Sequence, residues 1–301
     1  MLPEEWPMLI PAFQKDDAFI ANIRSTPARE DAFHLWWVGQ SGFLLQWNGR
    51  HLLFDPYLSD SLTEKYAATD KPHVRLSERV IDPVRLDMIE VANASHLHTD
   101  HLDAATLLPL AAVNLGLQLV LPEAIIPVAA ERLAAGAPAL LGLDDSGTVT
   151  AGVFQFTGIA AAHNEIERDA MGRCRFLGFL VRFGPFCVYH SGDTIWHDGL
   201  VAALRNARPD IALVPINGNE PSRRVAGNLN GTEAAALAKA TGARLAIPHH
   251  FDMFAFNTAS PDEFTVACDR LGQTFKVLKG GERLTLLIPE ATSRISLEGV
   301  S

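Results

Sequence analysis

Short apolar runs separated by polar turns mark the first part of the chain. Three such runs predict strands, at residues 33–38, 43–47 and 51–54. Asn48 and Gly49, which lie between the last two runs, both tolerate the positive φ angles of a tight hairpin turn. The pattern therefore predicts that the second and third strands pair as an antiparallel hairpin.

Helix-like and strand-like segments alternate through the rest of the chain. The helix-like segments, two of which begin at a proline, lie at residues 104–115, 122–135, 198–207, 232–240 and 261–271. Apolar, β-branched and aromatic runs predict strands at residues 88–94, 118–121, 148–157, 175–183, 186–190, 211–216, 244–247, 275–278 and 284–288. Hairpins with interleaved helices predict an α+β fold, in which two mixed β-sheets pack face to face and the helices cover them.

A single domain is the simplest organisation for this chain. No repeat, low-complexity tract or linker-like stretch divides it. We therefore expect one domain at residues 33–301, with residues 1–32 as a lead-in packed on it. The 301 residues are 48% hydrophobic and have a mean hydropathy of +0.10, which is enough to fill a large core and excludes global disorder.

Charge and cysteine content narrow the partners and the compartment. The 25 basic and 35 acidic side chains give a net charge of -10, so the phosphates of a nucleic acid would be repelled. The N-terminus lacks a signal-peptide pattern, and polar residues interrupt the apolar region 102–121, so we expect no export and no membrane span. Three cysteines without a Cys-x-x-Cys pair suit a reducing compartment and favour a cytoplasmic protein.

The most informative segment is Ser-His-Leu-His-Thr-Asp-His at residues 95–101. It follows an apolar run, so His96 and His98 project from the same side of extended chain. If the backbone then turns, Asp100 and His101 face the same space. Imidazole and carboxylate donors suit divalent metals, so the segment is interpreted as a metal site. The alternative interpretation is a polar loop that is histidine-rich by chance.

The pattern His-x-His-x-Asp-His after a strand resembles the metallo-β-lactamase superfamily. That resemblance implies an αβ/βα four-layer sandwich with one or two divalent metals at the sheet edge, and it implies three further ligands at His163, Asp193 and His250. Flanking segments are similar to the L-ascorbate-6-phosphate lactonase-like branch: Trp-Val-Gly-Gln-Ser-Gly-Phe at 37–43, Asp-Pro-Tyr at 55–57, Pro-Ile-Asn-Gly at 215–218 and Ile-Pro-His-His-Phe-Asp-Met-Phe at 247–254. The last segment favours His250 over the adjacent His249 as the ligand.

The resemblance also implies a division of labour among these residues. His96, His98 and His163 would hold one metal, and Asp100, His101 and His250 would hold a second, with Asp193 bridging. A metal-bound hydroxide would then attack a carbonyl carbon or a phosphorus, with Asp100 orienting it, so Asp100 and Asp193 are the catalytic candidates. No cysteine stands among the ligands, which leaves zinc, manganese and iron open.

Other polar residues have both a structural and a functional interpretation. Asp55 and Asp252 either stabilise turns or support metal ligands from behind. Residues 217–231 form either a solvated loop or a substrate flap, in which Asn217, Arg223 and Arg224 would contact an anion. His34, His51 and His73 belong to no such cluster and are interpreted as structural, whereas His190 is interpreted as a core residue and His197 as a surface or cleft residue.

These features predict a hydrolase that opens a lactone or related ester of a small, possibly phosphorylated substrate. The alternatives are a phosphodiesterase acting on a lipid or nucleotide, and a metal-dependent binding module without turnover. The expected partner is a small, anionic molecule, and the resemblance suggests a homo-oligomer.

Overall fold

Two mixed β-sheets form the centre of the structure, a computed structural model that describes residues 8–288. The first sheet has seven strands in the order β13-β1-β2-β3-β4-β5-β6. Its strands are β1 (Ala32–Gly39), β2 (Gly42–Trp47), β3 (Arg50–Phe54), β4 (Val91–Asn93), β5 (Gln118–Pro122), β6 (Ala139–Leu143) and β13 (Arg283–Leu287). Strands β3 to β6 are parallel to one another, whereas β13, β1, β2 and β3 pair antiparallel.

The second sheet has six strands in the order β12-β11-β10-β9-β8-β7. Its strands are β7 (Thr148–Ala151), β8 (Phe154–Ala160), β9 (Leu177–Phe183), β10 (Phe186–His190), β11 (Ile211–Pro215) and β12 (Leu245–His249). Strands β10, β11 and β12 run parallel, and the remaining pairs are antiparallel. Both sheets are therefore mixed, as the sequence predicts.

Helices cover the outer faces of the two sheets. They are α1 (Asp16–Ser25), α3 (Ala104–Val113), α4 (Ile126–Leu133), α5 (Leu200–Arg205), α6 (Gly231–Thr241) and α7 (Asp262–Leu271). The short helix α2 (Ser61–Tyr66) packs instead in a separate small cluster with Tyr57, Met253 and Phe254. Alternation along β1 shows the layering, since Leu35 and Trp37 belong to the core shared with the second sheet, whereas Trp36 and Val38 pack with α1, α3 and α4. The predicted α+β four-layer sandwich is confirmed.

The lead-in contains a helix that the sequence analysis did not predict. Phe19 and Ile23 of α1 are buried against the first sheet, and the indole N–H of Trp36 donates to the side-chain oxygen of Asn22 at 2.9 Å. Residues 1–7 of the lead-in and 289–301 of the expected domain lie outside the described residues. Within the described range, no helix has the length and apolar character that crossing a membrane requires.

Several predicted boundaries differ from the structure. The run 148–157 is not one strand but the hairpin β7–β8, which turns at Gly152 with a φ of +54°. The strand expected at 88–94 is only Val91–Asn93, and β6 was not predicted at all. Segment 275–278 is not a strand either, since it contributes a single parallel bridge from Phe275 to Ala246.

The strand ends place polar residues at one edge of the sandwich. Asp55 directly follows β3, and the histidine-rich segment follows its parallel neighbour β4. In the second sheet, the parallel strands β10 and β12 lead to Asp193 and His250. Since parallel strands end at the same edge of a sheet, side chains that are distant in sequence meet there.

Candidate metal centre

The segment after β4 folds back into a tight turn. The backbone N–H groups of His101 and Leu102 both donate to the carbonyl of His98, at 3.1 and 2.8 Å. This turn brings the rings of His96 and His98 to a centroid separation of 4.6 Å, and those of His96 and His101 to 4.1 Å. Three imidazoles from six consecutive residues therefore share one space.

Three residues from distant loops complete the cluster. The donor atoms of His96, His98 and His163 lie within 4.8 Å of one another, as do those of Asp100, His101 and His250. Asp193 lies between these two groups. One of its oxygens is 3.4 Å from Nε2 of His101, and the other is 3.4 Å from Nε2 of His250 and 3.7 Å from Nε2 of His163.

The structure distinguishes the adjacent residues His249 and His250. His250 has a φ of +61°, which turns the chain so that its ring faces Asp100 and Asp193. The ring of His249 instead stacks on His190, with parallel planes at a centroid distance of 5.1 Å. His190 is held in the interior by the carbonyl of Ser41, to which its Nε2 donates at 2.8 Å.

Buried donor atoms without partners indicate what the cluster holds. Nε2 of His96, Nε2 of His101 and one carboxylate oxygen of Asp193 are buried and have no hydrogen-bond partner. Burying such atoms unpaired is costly, and an ion between them would satisfy all three. The donors are nitrogen and oxygen without sulfur, so the residues fit one or two divalent cations.

Asp55 supports the cluster from behind. One of its oxygens accepts from Nδ1 of His101 at 2.6 Å and also from the hydroxyl of Ser95. The other oxygen accepts from the backbone N–H of Ser95 at 2.9 Å and from the side-chain amide of Asn93 at 2.7 Å. A proton held on Nδ1 leaves the lone pair of His101 Nε2 free to face a metal.

The loop at residues 217–231 orients His163 in the same way. Its Nδ1 donates to the backbone carbonyl of Gly227 at 2.8 Å, so its Nε2 faces Asp193.

Asp252 is placed differently from Asp55. Its backbone N–H donates to the hydroxyl of Thr258 at 2.8 Å, and burial raises the pKa of its carboxyl group.

Comparison with known proteins agrees with this geometry. The family model described as the beta-lactamase superfamily domain matches residues 50–251, which is more than half of the chain. The chain belongs to the metallo-β-lactamase superfamily. The matched region begins at β3 and ends just beyond His250, so it contains Asp55 and every residue of the cluster.

Individual relatives extend over most of the chain. It is 28% identical to a UPF0173 metal-dependent hydrolase of Methanoregula boonei over 240 residues, which are 79% of this chain and 90% of the relative. A UPF0173 metal-dependent hydrolase of Rubrobacter xylanophilus is 29% identical over 243 residues, covering 78% of this chain and 89% of that protein.

Solved structures share the fold of this superfamily member at lower identity. An isothiocyanate hydrolase from Delia radicum gut bacteria superposes with a TM-score of 0.65 at 18% identity, covering 83% of this chain and 97% of that one. CmlA, a diiron β-hydroxylase from Streptomyces venezuelae, gives a TM-score of 0.60 at 17% identity, covering 87% of this chain and 55% of its own. These likenesses concern the fold.

Burial and charge shift the pKa values of the imidazoles in the cluster in opposite directions. Burial lowers the pKa of His98 to about 4 and holds that of His96 well below its ordinary value. Burial also opposes the charging of His101 and His250, but the carboxylates of Asp193 and Asp100 outweigh it and raise both pKa values. The same two imidazoles hold the pKa of Asp193 well below its usual range, against the effect of burial.

We expect metal binding to release protons from His101 and His250 at neutral pH. A metal ligand must be a neutral imidazole, and the raised pKa values favour the protonated form of these two rings at a pH where an ordinary histidine is mostly neutral. Apparent metal affinity should therefore still rise with pH above pH 6.5. Calorimetric titration of metal-free protein in buffers of different ionisation enthalpy measures this release, and binding heats at pH 7 that do not depend on the buffer would contradict it.

A cavity of about 380 Å³ opens onto the cluster. His98, Asp100, His163, Asp193 and His250 line it on the side of the metal centre. The rest of the lining contains residues that the sequence analysis did not select, namely Lys65, Tyr66, Lys71, His73, Arg132, Phe254 and Phe256. His73, which the sequence analysis interprets as structural, is thus one of the residues that border the cavity.

The three predicted substrate contacts are outside this lining and have partners within the protein. The amide of Asn217 is buried between Asn228 and Asn257, with hydrogen bonds of 3.0 Å to each. The guanidinium of Arg223 donates to the carbonyl of Asn217 at 2.5 Å, and that of Arg224 pairs with Asp70 at the surface. The loop at 217–231 reaches the cavity through its apolar residues Val225 and Ala226 instead.

Proposed function

We propose that this metal-dependent hydrolase opens a lactone or related ester of a small, anionic substrate with metal-activated water. The observation that carries the proposal is the set of buried, unpartnered nitrogen and oxygen donors of His96, His101 and Asp193, together with a 380 Å³ cavity that Asp193 lines. That volume is within the range of small-molecule sites and is suited to a compact ester. The similarity of residues 37–43 and 247–254 to the lactonase-like branch supports a lactone over other esters.

The protein's own residues would position the reacting groups. A divalent ion held by the two histidine and aspartate groups supplies Lewis-acid activation of water and of a carbonyl oxygen. Asp100 lines the cavity and accepts from the side-chain amide of Gln40 at 2.8 Å, which fixes one oxygen and leaves the other available to hold a nucleophile. Asp193 is buried between the histidines, where its charge would help to hold the ion.

The metal is proposed to be zinc or manganese, with iron as a third possibility to be tested. The ligand set contains imidazole and carboxylate only, which does not select among these ions. Free, buried cysteines at Cys174, Cys187 and Cys268 support a reducing compartment, so we place the reaction in the cytoplasm.

Chelation is expected to abolish hydrolysis. Elemental analysis of the purified protein identifies the ion, and dialysis against a chelator followed by addition of zinc, manganese or iron(II) tests which ion restores turnover. Since every proposed chemical step depends on the ion, metal-free protein should retain no measurable activity. Full hydrolysis by metal-free protein would contradict the proposal.

A substrate panel distinguishes the proposed ester chemistry from its alternatives. We expect faster turnover of γ- and δ-lactones than of bis(4-nitrophenyl) phosphate, measured with the metal-restored protein at equal substrate concentrations. A preference for the phosphodiester would replace the lactone with a phosphodiester substrate. Ligand binding without hydrolysis across the whole panel would favour a binding module.

A further inference from the structure

Four aromatic rings form one part of the cavity lining, apart from the residues that could hold a metal. Tyr66 stacks on His73 at a centroid distance of 4.4 Å and an interplanar angle of 23°. The edge of His73 in turn meets Phe254 at 5.0 Å and Phe256 at 4.5 Å. Segments from α2 and from the loop after β12 thus build one continuous aromatic wall beside the metal centre.

The ring of His73 is fixed within this wall. Its Nδ1 donates to the backbone carbonyl of Lys71 at 2.9 Å, and burial lowers its pKa. The ring is therefore neutral at pH 7 and packs as a flat surface. A wall of this kind binds flat, largely apolar rings, because stacked and edge-on aromatic contacts stabilise such groups.

Two lysines line the same cavity without an acidic partner. The ammonium group of Lys65 is 5.1 Å from the ring centroid of Tyr66, and that of Lys71 donates to the backbone carbonyl of Arg224 at 2.5 Å. Within residues 8–288, no carboxylate is within 4.0 Å of either ammonium group, and the nearby Asp70 is paired with Arg224. In a chain with a net charge of -10, this is a local concentration of positive charge.

Arg224 contributes to this arrangement through its backbone rather than its charge. Its carbonyl uses one of the three donors of Lys71, which leaves two for a ligand. Its guanidinium keeps Asp70 occupied. Arg132 also lines the cavity, but its guanidinium donates to the backbone carbonyls of Leu97 and Leu102. We therefore assign the anion-binding charge to the lysines of the segment 65–73.

We propose that the natural substrate is a ring-bearing anion, an inference that rests on the proposed function. Its flat apolar ring would pack on the wall of Tyr66 and His73, and its carboxylate or phosphate would bind Lys65 and Lys71. The ester bond would then face Asp100 and the metal centre.

The test compares two lactones that differ in one charge. Dihydrocoumarin carries the ring without an anion, and a dihydrocoumarin carboxylate carries both. In metal-restored protein, Lys71→Met and Lys65→Met should each raise KM for the carboxylate about tenfold, since a hydrogen bond to a charged group is lost. The kcat for the carboxylate and the KM for the neutral dihydrocoumarin should remain nearly unchanged. Lys239→Met is the matched control, because Lys239 also donates to a backbone carbonyl, that of Gly272, but lies outside the cavity lining.

A ring comparison tests the wall separately. Tyr66→Ala should raise KM for dihydrocoumarin relative to δ-valerolactone, which has no aromatic ring, and Tyr66→Phe should restore it. Equal effects on the two lactones would show that Tyr66 acts only on local structure and would overturn this part of the inference.

Equilibrium binding of benzoate, followed by calorimetry, separates the inference from the proposed function. If benzoate binding depends on Lys65 and Lys71 but no lactone is hydrolysed, the proposed function fails and the anion site stands. If both dihydrocoumarins are hydrolysed with equal KM in wild type and in the lysine variants, the proposed function stands and the anion site is wrong. Benzoate binding that depends on the metal and not on the lysines would likewise overturn it, by placing the anion at the metal centre.

Discussion

Asp193→Asn is expected to cost the protein its metal and its hydrolytic activity together. Asp193 is 3% exposed, and its two oxygens are each 3.4 Å from a different imidazole nitrogen, on His101 and His250. Asp193 also forms a set of close donors with His96 and His101, which takes one histidine from each of the two groups. The amide keeps the size of the side chain but removes the negative charge that would balance a divalent ion.

The loss of metal affinity in Asp193→Asn should be larger than the loss caused by substituting a residue that only hydrogen-bonds to a metal ligand. Substituting a residue that only supports a ligand typically lowers metal affinity or activity by about 10- to 100-fold, so removing a charge from the ligand itself should exceed this. Competition with a chromogenic chelator measures the affinity, and elemental analysis after dialysis gives the metal content.

Asp87→Asn is the control for this substitution, because Asp87 is an exposed aspartate that pairs with Arg24 and belongs neither to the cluster nor to the cavity lining. It should keep its metal. An Asp193→Asn protein that retains wild-type metal content and turnover would show that the aspartate does not hold the ion.

The part of the metal centre formed by residues 96–101 could be predicted because these residues are consecutive in the sequence. The spacing of His96 and His98 predicts a common side on extended chain; in the structure this segment bends, and the tight turn still brings both rings together with that of His101. His163, Asp193 and His250 are different. Their approach depends on how the two sheets pack, which no local pattern contains, and only the family resemblance pointed to them.

Backbone conformation explains why spacing could not separate His249 from His250. The positive φ of His250 directs its ring to Asp193, while His249 remains in the strand direction and stacks on His190. A positive φ is uncommon for residues other than glycine, so the sequence alone does not predict it at His250.

The sequence also could not show which charged side chains are available to a substrate. Arg223 and Arg224 form the conspicuous basic pair in an otherwise polar loop, yet their guanidinium groups bond to the protein itself. Lys65 and Lys71 are less conspicuous in sequence but line the cavity. Whether a cation is available to a ligand depends on its tertiary partners, and composition does not reveal these.

Asp55→Asn should weaken metal binding about 10- to 100-fold, although Asp55 is not among the residues that could contact the ion. Asp55 accepts hydrogen bonds at both oxygens, and the bond from Nδ1 of His101 keeps the proton on that nitrogen. In the asparagine variant, the backbone N–H of Ser95 and the amide of Asn93 hold the remaining oxygen in place. The new amide group would then face His101 Nδ1 with a donor, so Nδ1 would lose the acceptor that keeps its proton in place while Nε2, the nitrogen that faces Asp193, binds the ion. The ring would no longer be held in the tautomer that binds metal, which lowers the affinity.

Asp103→Asn separates this effect from a general loss of stability. Asp103 is a buried carboxylate that accepts from the hydroxyls of Ser59 and Thr106, both at 2.6 Å, and it is not part of the metal cluster. Both variants should lose stability, by about 1.5–3 kcal/mol for each hydrogen bond to a charged group that is broken. Only Asp55→Asn should also lose metal affinity in chelator competition and change the nitrogen chemical shifts of His101 in NMR. Equal metal affinities in the two variants would mean that the orientation of His101 is set by the packing of the turn after β4 rather than by the carboxylate behind it.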